Sequence, residues 1–171
     1  MRALTRVAVA TAMLVGTAVG TANAASGAPS DPPGAIFTFK AEEGAHPVGG
    51  RSGEWISPGN EIRVWENQDI VKIDAESGLD FIRVELNGPN RTPLTVGTYQ
   101  DVRNQLYGPP SSPGILVISN GLGCDDDYAE FTIYRIGRDL AGRLVALDAS
   151  FTQHCGAPDG PALNGHVHYQ A

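Results

Sequence analysis

The sequence predicts an all-β fold, an antiparallel β-sandwich or jelly-roll with one disulfide, and a closed β-barrel is the alternative architecture. Three observations predict it. Short apolar and β-branched runs alternate between two faces with a period of two. Gly, Pro, Asn and Asp punctuate these runs at turn-like intervals. No helical period persists after residue 35.

Strands are expected at 36–42, 61–66, 70–75, 81–86, 115–119, 130–136, 143–153 and 166–169. Ile82, Val84 and Leu86 share one face while Arg83 and Glu85 share the other. Likewise Val145, Leu147, Ala149 and Phe151 oppose Asp148, Ser150 and Thr152. Such alternation marks sheet that is packed on one side and wet on the other. The run 137–142 (GRDLAG) has glycine at both ends and predicts a hairpin loop. Pro109, Pro110 and Pro113 place 108–114 outside any ladder, because proline lacks the N–H that a ladder needs. In 99–106 (YQDVRNQL), Val102 and Leu106 are four apart, the spacing of one short helical turn. Without crossover helices, the strands must bury their apolar faces on one another, as two packed sheets or a closed one.

The 171 residues divide unevenly. Arg2 and Arg6, an uncharged and mostly apolar stretch at 7–19, and Ala22-Asn23-Ala24 have the form of an export signal over 1–24, with an A-x-A cleavage site. The stretch is shorter than the roughly 20 residues that a membrane-spanning helix needs. Residues 25–34 (ASGAPSDPPG) form a proline-rich arm expected to be flexible, and 35–171 form a single domain. The expected location is therefore extracellular, with no membrane span. Against 19 acidic residues stand 12 basic ones, a net charge of −7, and Arg2 and Arg6 leave with the leader. Nucleic acid is excluded as a partner, since binding a polyanion requires a clustered basic surface.

Cys124 and Cys155 are the only cysteines. In an oxidising compartment, two cysteines of one small domain pair as a structural bond. A Cys155–His154 nucleophile pair is disfavoured because neighbours on a strand point to opposite faces.

The C-terminal third carries Gly121-Leu122-Gly123-Cys124, then Phe151-Thr152-Gln153-His154-Cys155, then Leu163-Asn164-Gly165-His166-Val167-His168-Tyr169. This combination resembles a largely uncharacterised family of secreted bacterial domains, found in high-GC Gram-positive organisms among others. Its recurring features are a Gly-x-Gly-Cys turn, a Phe-x-Gln-His-Cys segment and a terminal Leu-x-Gly-x-Val-x-Tyr-like strand. Glu43-Gly44 with Val48-Gly49-Gly50 is similar to the family's opening glycine segment, and Gly97-Thr98-Tyr99 to its central Gly-x-Tyr. The resemblance implies an all-β domain with Cys124 bonded to Cys155, and it carries no activity. Ser150 stands where the family commonly has an acidic residue.

Several constellations invite chemistry. His166 and His168 share a strand face, and His154 on a neighbouring strand would complete a three-nitrogen zinc site able to acidify water for hydrolysis. The plainer reading is a solvent-facing strand, with His154 hydrogen-bonded near the disulfide. Asp125, Asp126 and Asp127 offer hard oxygen ligands for calcium, without the glycine and terminal glutamate of an EF-hand. Among the aromatic residues, Trp55 and Tyr107 lie in loop-like stretches and are the stacking candidates for a sugar or a partner side chain. The carboxylate pairs Asp74–Glu85 and Asp80–Glu130 would serve glycoside hydrolysis at a suitable separation. The stiff segment 107–114 suits a protease inhibitor, and Asn90-Arg91-Thr92 matches the N-glycosylation sequon. No nucleophile elbow, H-E-x-x-H or phosphate-binding glycine loop is present. The sequence favours non-catalytic surface recognition of a cell-wall glycan or an extracellular protein, with no cofactor. The alternatives are a His154/His166/His168 metal-dependent hydrolase and a secreted inhibitor or structural protein.

Overall fold

A computed structural model describes residues 33–171; the expected export signal over 1–24 and residues 25–32 of the expected arm lie outside the described residues. The strands are β1 (Gly34–Ala41), β2 (Gly53–Ile56), β3 (Glu61–Asn67), β4 (Ile70–Ser77), β5 (Asp80–Asn87), β6 (Gly97–Asn104), β7 (Gly114–Ser119), β8 (Leu122–Gly123), β9 (Asp127–Arg138), β10 (Leu144–Cys155) and β11 (Ala162–Gln170). Among the described residues the only helical element is one 3-10 turn, Pro89–Arg91. None of their helices is long and apolar enough to cross a membrane.

All the strands join one sheet in the order β2-β1-β11-β10-β9-β6-β7-β5-β4-β3, with β8 added to β7. The sheet curls until its end strands β2 and β3 approach each other, giving a nearly closed barrel. The all-β class and the disulfide are as the sequence predicts, and the strand order selects the barrel-like arrangement. One neighbour pair breaks the antiparallel pattern. β6 and β7 run parallel, matching Arg103 with Gly114 and Asn104 with Ile115, and the proline loop makes the crossing between them.

Alternation builds the core. Ile82, Val84 and Leu86 from β5, Val71 and Ile73 from β4, and Ile115 and Val117 from β7 are all buried inside the barrel. Phe37, Phe131, Ile133, Leu147, Leu163 and Val167 complete the opposite wall. At the disulfide end the loop after β1 folds over the core, burying Ala45 and Val48. Arg51 fixes that loop by donating to Asp80 Oδ1 at 2.6 Å and Ser119 Oγ at 2.7 Å. Leu94 plugs the other end. There Arg138 donates to both oxygens of Glu66 at 2.6 Å, which ties β9 to the far end strand β3. A bidentate Arg–carboxylate pair holds orientation as well as distance, so this contact supports closure of the curl.

Three details depart from expectation. Residues 99–104 continue a strand and form no helical turn. Between Tyr99 and Val102 the register of β6 against β9 slips by one residue, a β-bulge that turns both side chains inward although they are three apart. Leu106, the other half of the expected Val102–Leu106 turn, lies beyond the strand and is exposed. A second bulge between Leu144 and Ala146 leaves Val145 half-buried, so Leu144, Ala146 and Leu147 take the inner positions. The third concerns Trp55, which is 3% exposed in β2 and stacks on Phe39 with ring centroids 5.5 Å apart. It belongs to the core and offers no face to a sugar.

Cys124 and Cys155 are bonded, with a sequence separation of 31. A loop of this length restricts the unfolded chain enough to stabilise the fold by about 3–4 kcal/mol. The Cys124→Ser/Cys155→Ser double variant should lose about that much. Urea denaturation reads the loss as a lower midpoint with native secondary structure retained at zero urea.

Candidate functional site

The β6 bulge does more than redirect two core residues. Asp101 occupies a left-handed backbone conformation (φ 53°), which costs a non-glycine residue free energy and therefore marks a position held by its surroundings. Beside it, on the outer face of β6, β9 and β10, runs an open groove of about 540 Å³. Gln100, Asp101, Arg103, Glu130, Thr152 and His154 supply its polar lining. Glu130 comes from the stretch of β9 that the bulge faces, between the partners of Tyr99 and Val102.

The groove mixes hydrogen-bonding types around a single ring. The guanidinium of Arg103 lies over the ring of Tyr128, 4.2 Å from its centroid, a cation–π contact that restrains the side chain. The side chains of Gln100, Asp101 and Glu130 have no hydrogen bond or ion pair among the described residues. Nδ1 of His154 lies 2.6 Å from the carbonyl oxygen of Gly160. A carbonyl only accepts, so Nδ1 carries the proton and Nε2 is left as the acceptor of the neutral ring. Carboxylates, a carboxamide, a guanidinium, a hydroxyl and an imidazole therefore converge without a fixed partner for several of them.

The three candidate zinc ligands do not converge. On β10, His154 pairs with Ala162 while Ser150 pairs with His166, four residues away along the strand, or about 13 Å. His166 Nε2 and His168 Nδ1 instead donate to the two oxygens of Asp148, at 3.0 and 3.2 Å. Each imidazole thus spends one nitrogen on the carboxylate, and no group of three or more metal-ligating side chains is arranged for an ion among the described residues. Nor does the acidic run converge on a cation. Asp127 turns inward and is fully buried, whereas Asp126 accepts from the Tyr128 hydroxyl at 3.2 Å.

Three of the four paired carboxylates are committed elsewhere, and Glu130 lines the groove while Asp80 does not. Asp74 accepts two bonds from Arg83, Glu85 accepts from Lys72, and Asp80 is held by Arg51. Of the stacking candidates, Tyr107 remains exposed on the proline loop, well separated in role from the buried Trp55. Searches of protein-family models, of curated proteins and of solved structures give no match to this chain.

Beneath the groove, Asp127 accepts from Gln153 Nε2 at 2.7 Å and from Asn104 Nδ2 at 2.8 Å. Burial nevertheless dominates. Loss of solvent raises the pKa of Asp127 to about 6, the two amide donors pull it down, and Asp126 and Asp125 push it up again. A carboxyl with a raised folded-state pKa contributes stability that is complete below its unfolded value near 4 and is lost as pH climbs through 6. The wild-type protein should therefore lose about 2–3 kcal/mol between pH 4 and pH 7 relative to Asp127→Asn. Paired urea titrations at the two pH values measure this, and parallel curves for the two proteins would contradict it.

Proposed function

We propose that this protein is an exported recognition module that binds a cell-wall glycan in the groove over the β6 bulge and performs no covalent chemistry there. The observation that carries the reading is the groove itself: open, bordered by three strands, and lined by unpartnered groups of both hydrogen-bonding senses. A sugar presents hydroxyls that each donate and accept. Asp101 and Glu130 take the donated protons, Arg103 supplies donors, and Gln100 offers both. Orientation comes from a few polar groups placed on a rigid scaffold, as in other small-molecule sites.

Export is supported by the leader-like residues 1–24 and by the Cys124–Cys155 bond, since disulfides persist where thiols are not kept reduced. The likeness of residues 121–124, 151–155 and 163–169 to segments of secreted bacterial domains favours the same compartment. An extracellular protein is the other partner class the sequence admits, and the concavity of the site favours an extended ligand over a flat protein face.

Calorimetric titration with soluble cell-wall glycan chains tests the reading. Binding should be saturable, and Glu130→Gln and Arg103→Ala should each weaken it by about tenfold, the cost of one charge-assisted hydrogen bond. The glycan should be recovered unchanged. Absence of heat at millimolar sugar, or equal affinity in both variants, would overturn it. Tryptophan emission is a poor reporter here because Trp55 lies in the core and Trp65, on β3, does not line the groove.

A further inference from the structure

Gln153 continues the inner face of β10 after Ala149 and Phe151 and is 0% exposed. Its Nε2 donates to Asp127 Oδ1 at 2.7 Å, whereas its Oε1 is buried with no partner. Asp127 is equally buried, and its other oxygen accepts from Asn104 Nδ2 at 2.8 Å. Native proteins pair nearly all such buried acceptors, because an unpaired one forfeits the bond it made to water. Solvent does not reach this atom, so its donor has to come from inside the protein.

The nearby donors are spent. Asn104 uses both hydrogens of Nδ2, one on Asp127 and one on Cys124 O at 2.7 Å. The strand partners of Gln153, Ala129 and Leu163, bring no polar side chain, and the backbone around it belongs to the β9–β10–β11 ladders. One donor is left in the cluster, a proton on Asp127 itself. A carboxyl and a carboxamide side by side complement each other in that form, with N–H to oxygen one way and O–H to oxygen the other.

The charges around the site do not oppose such a proton. Asp125 and Asp126, beside Asp127 in the chain, carry the sign that disfavours its ionisation, as does its burial. The other ionisable groups on the surrounding elements are engaged or turned outward: Arg103 of β6 on the Tyr128 ring, His154 of β10 on Gly160 O, and Glu130 of β9 in the groove. On the loop over this end, His46 donates to Gly123 O and Glu42 accepts from Ala162 N–H.

We propose that Asp127 is a proton-controlled latch: its neutral carboxyl pairs with both ends of the Gln153 carboxamide and fixes the groove above it, and its ionisation loosens the groove. Position supports the coupling. Asn104 adjoins Arg103, Asp127 adjoins Tyr128, and Gln153 lies between Thr152 and His154, and these four neighbours all line the groove. Successive strand residues point to opposite faces, so the network grips from inside the three strands that border the groove outside. Ionisation releases the proton to solvent and sets the unpaired Gln153 Oε1 against a carboxylate, at a cost that is greatest where water is absent. The latch goes beyond the glycan reading, because it acts on the groove with or without a ligand.

Carbon-13 shifts of the side-chain carboxyl in the whole, unliganded protein test the proposal. Asp127 should titrate with a midpoint of about 6. Between about pH 5 and pH 7, exchange protection at the Arg103, Tyr128 and Thr152 amides should fall about tenfold beyond the intrinsic pH dependence of exchange, the ratio that one unit above a pKa allows. Asp127→Asn puts a permanent N–H donor in place of the O–H and should hold protection level across that range. His154→Gln should retain the fall, which separates the latch from titration of the groove imidazole. The carboxyl titration needs no variant, so it locates the proton whether or not Asp127→Asn folds well. An Asp127 that stays ionised throughout the range, as a trapped water on Gln153 Oε1 would leave it, overturns the proposal, and so does an equal fall in wild type and Asp127→Asn.

Discussion

One carboxamide holds the working side of this barrel together. Asn104 ends β6, and all four hydrogen-bonding positions of its side chain are used. Nδ2 donates to Cys124 O at 2.7 Å and to Asp127 Oδ2 at 2.8 Å, while Oδ1 accepts from Leu106 and Tyr107 N–H. A single buried side chain, 4% exposed, thereby joins the disulfide turn, the acidic run, the start of the proline loop and the end of β6. Its neighbours inherit their positions from it. Arg103 precedes it and lies over Tyr128; Gln105 follows it and lines a cavity beside the proline loop. An asparagine suits this point because no other short side chain offers two donors and two acceptor lone pairs.

That junction explains why the parallel pairing of β6 with β7 is tolerated. A parallel neighbour needs a crossover, and here the chain crosses in a loop of nine residues, 105–113, with three prolines. Backbone bonds from Arg103 N to Pro113 O and from Gln105 N to Ile115 O stitch the loop back onto the sheet, and Asn104 caps its first turn. The cost of the irregular crossing is a set of buried polar groups that regular sheet would have paired internally. Most are satisfied by side chains, and two, Asn87 Oδ1 and Gln105 Oε1, stay buried without a partner beside the loop.

Much of the fold was legible because burial in a barrel wall is an alternating constraint, which β5 carries through Ile82, Val84 and Leu86 and β10 carries from Leu147 through Ala149 and Phe151. β2 was missed because only Trp55 of its four residues faces inward, too short a signal for a period. The end of β6 was misread because Val102 and Leu106 are four apart, yet the strand ends at Asn104 and Leu106 lies exposed in the turn that follows. The register slip within β6 depends on Phe131 and Ala129 of β9, which lie far along the chain. The site was correspondingly obscure. Gln100, Asp101, Arg103 and Glu130 have no motif spacing, and only the register of β6 against β9 brings them to one groove. The histidines were conspicuous in sequence, yet a strand offset of four residues and the intervening Asp148 separate them chemically.

Amide hydrogen exchange of Asn104→Ala against the wild type tests the junction most directly. If one side chain couples the two segments, protection should fall together in residues 105–114 and 124–128, while the core strands β4 and β5 keep theirs. Loss in only one of those segments, or unchanged protection in both, would contradict the account and leave the loop and the disulfide turn as independently stabilised neighbours.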